Sequence, residues 1–288
     1  MTEQTNISLA ANSAATAFAG RHALILGGAK GIGQALAREM AGSGARLAIG
    51  DIDLAAAQAT AAAIVADGGE AAGFAADVRS ADSIAAVVQQ AETRFGPVDL
   101  LINNVGAILN GLPEDVPAEE WERIESLNYG AVVKGVRAVL PAMLARGSGH
   151  IANTASFAGM YPYAMTRMAY GASKAAVINF SQNLALYCEP RGVRVSCLVP
   201  GPVRTGIAAA MTNWSANAPM SGPGSHLKLL TAEEAAQVFV RGMAEGRILI
   251  PSDDALWDLV RQWAADPDAF VRAKIAAITA GDPGMPAL

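Results

Sequence analysis

The chain has little cysteine and little histidine. Its 288 residues include two cysteines and three histidines. Cys188 and Cys197 belong to no CxxC motif, so a disulfide framework is not expected and both are interpreted as packing residues. The three histidines are scattered without the spacing of metal ligands, and no metal site is predicted.

Charge and long apolar runs are also scarce. Charged residues make up 16% of the chain, the formal net charge is −5, and there is no basic run. This argues against charge-driven binding to nucleic acid or to a membrane surface. No apolar run approaches the ~18 residues of a membrane span. Residues 1–20 contain no Lys or Arg, unlike a signal peptide. We therefore expect a soluble, cytoplasmic protein that begins with a flexible tail over 1–20.

Apolar residues, by contrast, are abundant. They form 52% of the chain, which is enough for a large core. Short apolar runs alternate with alanine-rich stretches, and this alternation predicts βαβ units. The predicted strands are 22–28, 46–51, 70–78, 99–106, 150–156, 193–201 and an edge strand at 248–251. The predicted helices lie near 31–42, 53–67, 80–95, 118–145 and 164–188, and another begins at Thr231. This order predicts one α/β domain over 21–288, a Rossmann-type doubly wound parallel sheet of about seven strands.

A glycine-rich turn, "LGGAKGIGQAL" (26–36), follows the first predicted strand and opens a helix. Gly27, Gly31 and Gly33 let the backbone turn sharply and approach a pyrophosphate, which the N–H groups of the helix start can bind. The second predicted strand ends at Asp51, 18 residues after Gly33, close to the spacing of ~20 for a carboxylate that binds ribose hydroxyls. The sequence therefore predicts a dinucleotide site.

The residues around Asp51 favour NAD over NADP. A carboxylate at this position repels a 2′-phosphate, and neighbouring Ile52 supplies no positive charge to bind one. Lys30 in the glycine loop is the one opposing sign. The alternative for Asp51 is that it caps the helix beginning near residue 53.

The stretch "MAYGASKAAV" (168–177) places Tyr170 and Lys174 one helical turn apart. Taken alone, this is most simply a chance pair on a helix surface. Ser156 alone would be a hydroxyl at a strand end, and Asn128 alone a polar kink in a long helix.

Together, the motifs resemble the short-chain dehydrogenase/reductase family from about residue 21 to about 250. The resemblance rests on "GGAKGIG", "ADV" (76–78), "NNVG" (103–106), Asn128, "NTASFAG" with Ser156, the YxxxK pair and "PGPVRT" (200–205). It implies an oxidoreductase that transfers a hydride between a nicotinamide cofactor and an alcohol or ketone. Two positions depart from the family pattern: Leu26 replaces the usual Thr, and Val105 replaces Ala.

The resemblance implies the roles of four catalytic residues. Tyr170 would be the general acid/base, with the nearby Lys174 cation lowering its pKa from about 10. Lys174 would also hold the nicotinamide ribose. Ser156 would hydrogen-bond the substrate oxygen, and Asn128 would hold a water that links Lys174 to solvent.

The family pattern also implies the cofactor contacts. Asp77 would lie near the adenine amine, and Val203 and Thr205 would grip the nicotinamide carboxamide. The full predicted set is Gly27, Lys30, Gly31, Ile32, Gly33, Asp51, Ile52, Asp77, Val78, Asn104, Gly106, Tyr170, Lys174, Pro200, Gly201, Val203 and Thr205. The family commonly pairs the helices predicted at 118–145 and 164–188 across a two-fold axis, so we expect a homotetramer.

The segment after "PGPVRT" suggests the nature of the substrate. Residues 206–220 contain no charged side chain but include Trp214 and two methionines. Together with 156–165 they predict an apolar pocket for a small hydrophobic alcohol or ketone; the alternative is that they cover the core or a subunit contact. Glycines at both ends predict a mobile lid at about 206–228, with Trp214 near the substrate. The alternative functions are an NADPH-dependent ketoreductase and, from another class, a non-catalytic dinucleotide-binding regulator.

Overall fold

A parallel sheet of seven strands forms the centre of the protein, which we describe from a computed structural model over residues 17–207 and 210–286. The strand order is β7-β6-β5-β4-β1-β2-β3, and every neighbouring pair is parallel. The predicted doubly wound Rossmann-type sheet is therefore confirmed. Its strands are β1 (His22–Leu26), β2 (Arg46–Asp51), β3 (Glu70–Ala75), β4 (Leu100–Asn103), β5 (Gly149–Thr154), β6 (Val193–Val199) and β7 (Leu249–Pro251).

The central strands are apolar on both faces because helices cover both sides of the sheet. Successive residues along a strand alternate between the two faces. Leu24 and Leu101 thus belong to the core on one side, whereas Ile25 and Ile102 belong to the core on the other. All four side chains are 0–1% exposed. The apolar runs seen in the sequence are the strands of this sheet that are buried on both faces.

Helices pack on both faces of the sheet. The helices of the described residues are α1 (Gly31–Gly42), α2 (Leu54–Ala66), α3 (Ala81–Phe95), α4 (Ala118–Glu125), α5 (Ala131–Arg146), α6 (Met168–Cys188), α7 (Ala232–Ala244), α8 (Leu256–Ala265) and α9 (Pro267–Thr279). A π-helical turn over Ser126–Gly130 joins α4 to α5, so the helix predicted at 118–145 is one helical run with a local irregularity. The predicted cap of α7 is present, since Thr231 and Glu234 exchange the two hydrogen bonds of a capping box.

Several strands are shorter than the sequence predicted. β3, β4 and β6 end at Ala75, Asn103 and Val199, three or two residues before their predicted ends. The residues beyond these points leave the sheet and turn across its carboxyl edge. Instead of extending the strands, they line a cleft at that edge.

The domain begins earlier than predicted. Phe18 is 1% exposed and belongs to one of the two cores. Gly20 N donates to Gly44 O at 2.9 Å, and Arg21 N donates to Phe18 O at 3.0 Å. Residues 17–20 are therefore part of the folded unit. The rest of the predicted tail, 1–16, lies outside the described residues.

Two classes of feature are absent from the part of the chain that the structure describes. None of its helices combines the length and the apolar character that crossing a membrane requires. No cluster of His, Cys, Asp and Glu side chains over 17–207 and 210–286 is suited to hold a metal ion.

Candidate active site

A cleft of about 550 Å³ opens at the carboxyl ends of the strands. It lies where the strand order reverses, because β1 is flanked by β2 on one side and β4 on the other, and such switch points are where α/β sheets bind ligands. Most of the predicted site residues line this cleft: Gly27, Lys30, Gly31, Ile32, Asp51, Ile52, Asp77, Val78, Asn104, Gly106, Ser156, Tyr170, Lys174, Pro200, Gly201, Val203 and Thr205. Gly33 and Asn128 do not line it.

The glycine loop requires glycine for its backbone shape. Gly27 and Gly31 have φ values of +81° and +55°, in the left-handed region that favours glycine. Gly33 sits beneath the loop, where an added Cβ would collide with the Gly27 carbonyl and lie 2.6 Å from Asn104 Nδ2. Helix α1 then begins at Gly31 without a side-chain cap. Its first N–H groups therefore have no side-chain acceptor and can serve an anion.

Asp51 lies at the end of β2 and faces the cleft. Its Oδ2 accepts from Ala29 N at 3.2 Å and its Oδ1 from Asp53 N at 3.1 Å. The residue that caps α2 is Asp53, which accepts from Ala56 N at 3.0 Å. The alternative in which Asp51 caps this helix is therefore wrong.

Lys30 does not extend freely over the glycine loop. Its Nζ lies 2.8 Å from Asp53 Oδ2, and this exposed pair raises the pKa of Lys30 and lowers that of Asp53. The positive charge that argued for NADP is thus partly neutralised. Ile52, beside Asp51, is 67% exposed and offers only apolar surface.

Asp77 is held by a side chain that the sequence argument did not consider. The Arg79 guanidinium donates to its carboxylate at 2.7–3.1 Å and lowers the pKa of Asp77 to about 2. Asp77 is therefore ionised and oriented at the cleft wall next to Val78. Arg79 also lines the cleft.

Ser156, Tyr170 and Lys174 meet at the inner end of the cleft. Ser156 follows β5, and its Oγ accepts from Ala158 N at 3.2 Å. Tyr170 and Lys174 lie in the first two turns of α6, with Lys174 Nζ 5.8 Å from the centre of the Tyr170 ring. The Lys174 ammonium donates to Thr154 O at 2.8 Å. Because Ser156 lies just after β5 and α6 follows in the chain, the fold brings Ser156, Tyr170 and Lys174 together.

The electrostatics of this group differ from the sequence expectation. Burial raises the pKa of Tyr170, and hydrogen bonding to Ser156 and the charge of Arg167 offset only part of that rise. Burial also lowers the pKa of Lys174 to about 8. The expected lowering of the Tyr170 pKa by Lys174 is not seen in the protein alone, because desolvation of the phenolate dominates.

Asn128 lies in the π-helical turn, below the cleft floor. It is fully buried; its Oδ1 accepts from Ala107 N at 2.8 Å, and its Nδ2 donates to Ala107 O and Ser173 Oγ at 3.0 Å. Gly106 separates it from Lys174, since a Cβ added there would lie 3.2 Å from Lys174 Nζ and 3.4 Å from Asn128 Oδ1. Asn128 is thus both the polar kink of a long helix and a neighbour of the catalytic candidates.

Hydrogen bonds connect the second half of the predicted lid to neighbouring segments. Its extended stretch 219–223 offers alternate carbonyls to the loop before Tyr170: Thr166 Oγ1 donates to Pro219 O at 2.9 Å, Arg167 to Ser221 O, and Tyr161 to Pro223 O. On the other side, Gly222 N donates to Pro283 O at 2.8 Å. Side chains and the C-terminal segment thus hold 222–224 from both sides, which opposes a hinge at these glycines. The mobile lid at about 206–228 stays a prediction from the sequence.

Trp214 does not line the cleft. It follows a two-residue strand, Thr212–Asn213, that pairs with Leu109–Asn110, and its N donates to Asn110 O at 2.8 Å. Its side chain is 37% exposed. The lid residues that do reach the cleft are Gly206, Ile207 and Ala210, while 208 and 209 lie outside the described residues.

Two residues near the catalytic group were missed by the sequence analysis. Thr154 lines the cleft, and its carbonyl accepts a hydrogen bond from the Lys174 ammonium. Arg167 lies at the start of α6 beside Tyr163. Position was the only available signal: Thr154 ends a strand two residues before Ser156, and Arg167 precedes Tyr170 by three.

The chain belongs to the short chain dehydrogenase family, whose sequence model matches residues 21–216. It is 38% identical over 195 residues to 2,5-dichloro-2,5-cyclohexadiene-1,4-diol dehydrogenase LinX of Sphingobium indicum, covering 68% of this chain and 78% of that protein. It is 33% identical over 260 residues to 2-(S)-hydroxypropyl-CoM dehydrogenase 3 of Xanthobacter autotrophicus, covering 89% of this chain and 94% of that protein.

The fold comparison agrees with this assignment. A short chain dehydrogenase/reductase from Burkholderia phymatum, crystallised in complex with NAD, matches with a TM-score of 0.76 and 29% identity. The match covers 88% of this chain and 95% of that one. The protein is therefore an oxidoreductase that acts on CH–OH groups. The glycine loop, the uncapped start of α1 and the Asp51 carboxylate fit a nicotinamide dinucleotide.

Proposed function

We propose that this protein is an NAD-dependent dehydrogenase that transfers a hydride between nicotinamide and a hydrophobic secondary alcohol or ketone. The observation that carries the proposal is the shared cleft: Asp51 faces it at one end, and Ser156, Tyr170 and Lys174 face it at the other. The Asp51 carboxylate, which can bind ribose hydroxyls, and the Tyr170 phenol, which can exchange a proton with an alcohol, thus line the same cleft.

In the proposed reaction the protein moves a proton while the bound nicotinamide supplies the hydride chemistry. Tyr170 removes the hydroxyl proton when the alcohol is oxidised and returns it when the ketone is reduced. Ser156 hydrogen-bonds the same substrate oxygen and stabilises charge on it. Lys174 holds the nicotinamide ribose, and Asn128 holds a water that links Lys174 to solvent.

The raised pKa of Tyr170 has a place in this mechanism. In the protein alone the phenol is protonated, the form needed to donate a proton in ketone reduction. For alcohol oxidation the phenolate is needed, and a positive charge near the ring favours it. Lys174 and an oxidised nicotinamide each supply one positive charge close to Tyr170. Cofactor binding would therefore prepare the tyrosine for oxidation.

NAD is the proposed cofactor because of the surroundings of Asp51. Its carboxylate would accept hydrogen bonds from the ribose hydroxyls and repel a 2′-phosphate. Lys30, which could have bound such a phosphate, pairs with Asp53 instead. The second candidate, an NADPH-dependent ketoreductase, is favoured by the presence of Arg79 and Lys30 at the cleft.

A small hydrophobic alcohol or ketone is the proposed substrate. The relatives from Sphingobium and Xanthobacter are named as dehydrogenases of a cyclic diol and of a 2-hydroxypropyl compound, and both groups are secondary alcohols. The segment 206–220 contributes no charged side chain to the region beside Tyr170. A cytoplasmic location and a homotetramer stay predictions from the sequence.

Absorbance of the reduced nicotinamide, in NADH or NADPH, tests the proposal directly. The protein is incubated with a panel of hydrophobic secondary alcohols, once with NAD and once with NADP. We expect reduction of NAD with at least one alcohol and a lower kcat/KM with NADP. Binding of NADH without turnover of any alcohol or ketone would favour the remaining alternative, a dinucleotide-binding regulator.

A further inference from the structure

A line of three hydrogen bonds crosses the carboxyl edge of the sheet and ends on Lys174. Asn104 Nδ2 donates to Gly27 O at 3.0 Å, and Thr154 Oγ1 donates to Asn104 Oδ1 at 3.2 Å. Lys174 Nζ then donates to Thr154 O at 2.8 Å. Gly27 follows β1 and Asn104 follows β4. Thr154 is the last residue of β5, and Lys174 lies on α6. The line therefore joins the glycine loop to the catalytic group through three neighbouring strands.

Thr154 takes part in two of these hydrogen bonds, one through its side chain and one through its main-chain carbonyl. Its hydroxyl holds the Asn104 amide, and its carbonyl is the one protein acceptor of Lys174 Nζ among the described residues. Thr154 is 6% exposed and Lys174 is 3% exposed. A buried donor or acceptor that loses its hydrogen-bond partner cannot bond to water instead, so the loss destabilises the protein.

The other end of the line has little room to move. Gly33 of α1 packs directly on the bond between Asn104 and Gly27, since a Cβ added to Gly33 would lie 2.6 Å from Asn104 Nδ2. Val105 packs on the other side, where its Cγ2 would lie 2.7 Å from a Cβ added to Gly27. A change in the orientation of the Asn104 amide would therefore be transmitted to the glycine loop.

We propose that Thr154 is a positioning residue that couples the glycine loop to Lys174. Its hydroxyl keeps Asn104 and the Gly27 carbonyl in the shape that receives the dinucleotide, and its carbonyl keeps the Lys174 ammonium beside Tyr170. The inference rests on the proposed function, because the coupling matters only if the dinucleotide and the proton are handled in one reaction. Removing the hydroxyl should then impair dinucleotide binding and turnover together.

Thr154→Val and Thr154→Ser separate the hydroxyl from the shape of the side chain. Valine keeps the branched shape and removes the hydroxyl, whereas serine keeps the hydroxyl and removes a methyl group. The matched control is Thr60→Val, because Thr60 is 2% exposed and its Oγ1 also donates to a glycine-loop carbonyl, that of Ala29, at 3.1 Å. Thr60 has no hydrogen bond that leads to Lys174.

Turnover is measured at saturating NAD and alcohol, and NADH affinity is measured by fluorescence titration without substrate. We expect Thr154→Val to lower kcat at least about fivefold, the lower end of what the loss of a buried hydrogen-bond partner produces, and to weaken NADH binding. Thr154→Ser should recover to within about twofold of the unmodified protein, and Thr60→Val should keep kcat within the same range.

A double-mutant cycle tests the coupling without turnover. The effect of Thr154→Val on NADH affinity should be smaller when Lys174→Met is also present, because the line then has no ammonium to position. Thr154→Ala replaces the valine variant if thermal melting shows that the latter is unfolded.

Four results would overturn the proposal. They are unchanged kcat in Thr154→Val, a serine variant as impaired as the valine variant, an equal loss of kcat in Thr60→Val, and additive effects in the cycle. Failure of the proposed function has a different signature: the unmodified protein binds NADH but oxidises no alcohol. In that case the double-mutant cycle still tests the role of Thr154, because it measures NADH affinity and requires no turnover.

Discussion

At the scale of single residues, Tyr170 presents a buried phenol whose pKa is raised by desolvation. Tyr170→Phe keeps the ring packed but removes the atom that donates and accepts the proton. We expect kcat to fall by at least ~10², the low end for general acid–base catalysis, while NADH affinity changes little. Steady-state kinetics and fluorescence titration measure the two quantities, and near-normal turnover would show that Tyr170 is not the acid/base.

Lys174 should make the protein alone less stable. Burial lowers its pKa from an ordinary value of 10.5 to about 8, so the buried ammonium opposes folding at neutral pH. Lys174→Met should abolish turnover yet raise the free energy of unfolding, by up to ~3 kcal/mol at ~1.4 kcal/mol per pKa unit.

The pH dependence of this gain follows from the direction of the Lys174 shift. Below pH 8 both the folded and the unfolded protein carry the ammonium, so the gain from Lys174→Met is full. Between pH 8 and 10.5 the unfolded chain binds more protons than the folded one, so the penalty fades as the pH rises. Urea unfolding of both proteins at several pH values measures the difference, and a variant less stable at pH 7 would contradict the argument.

Asp51 and Ile52 should decide the choice of nucleotide. Asp51→Ala removes the charge that repels a 2′-phosphate, and Ile52→Arg adds a cation at an exposed position beside the cleft. The double variant should therefore shift the ratio of kcat/KM values toward NADP. If the unmodified protein already prefers NADP, then Lys30 or Arg79 binds the phosphate despite its carboxylate partner.

At the scale of elements, the segment 206–228 divides into two parts. The amides of Trp214 and Gly222 are bonded to Asn110 O and Pro283 O, whereas Gly206, Ile207 and Ala210 line the cleft. Closure over a ligand is therefore expected at the described residues that line the cleft, 206, 207 and 210. The fixed part would then form one wall of the site.

Hydrogen exchange measures this division. The amides of Trp214 and Gly222 should exchange slowly without ligand, because both donate backbone hydrogen bonds, and addition of NADH with a substrate analogue should slow exchange mainly at 206, 207 and 210. The strand β4 serves as a reference that stays slow throughout. Fast exchange of the Gly222 amide in the free protein would support the longer lid that the sequence predicted.

At the scale of the whole molecule, α5 presents apolar residues in two directions. Val132, Val136 and Val139 are buried in the core. Val133 instead lines a groove of about 900 Å³ between α3, α4 and α5, whose lining combines apolar side chains with the charged Glu122, Glu125, Lys134 and Arg137. At the end of α6, Leu186 is 77% exposed and Tyr187 is 51% exposed. These surfaces suit pairing between copies of the chain.

Sedimentation at micromolar concentration measures the state of assembly. We expect a tetramer of two-fold symmetry, and Val133→Glu should shift it toward smaller species by placing a charge in the groove. Gln90→Glu is the matched control, because it adds one negative charge at an exposed position of α3 that does not line the groove. A stable monomer of the unmodified protein would reject the prediction.

Much of this protein follows from its sequence alone. The sheet was predictable because strands buried on both faces appear as short continuous apolar runs between longer alanine-rich helical stretches, and parallel strands bring their carboxyl ends to one edge. That edge explains why Asp51, Ser156 and Asn104, far apart in the chain, line one cleft. The glycine loop was predictable because its left-handed turns depend on the residues within it.

The tertiary structure decided what depends on contacts between distant segments. Lys30 pairs with Asp53, and the Gly222 amide donates to the Pro283 carbonyl. Burial, which no local pattern measures, sets the pKa of Lys174. The hydroxyl of Thr154 gains its proposed role only because β4 and β5 are neighbours in the sheet. Local periodicity specifies elements and strand ends, whereas charge pairing, desolvation and hydrogen-bond partners are properties of the packed chain.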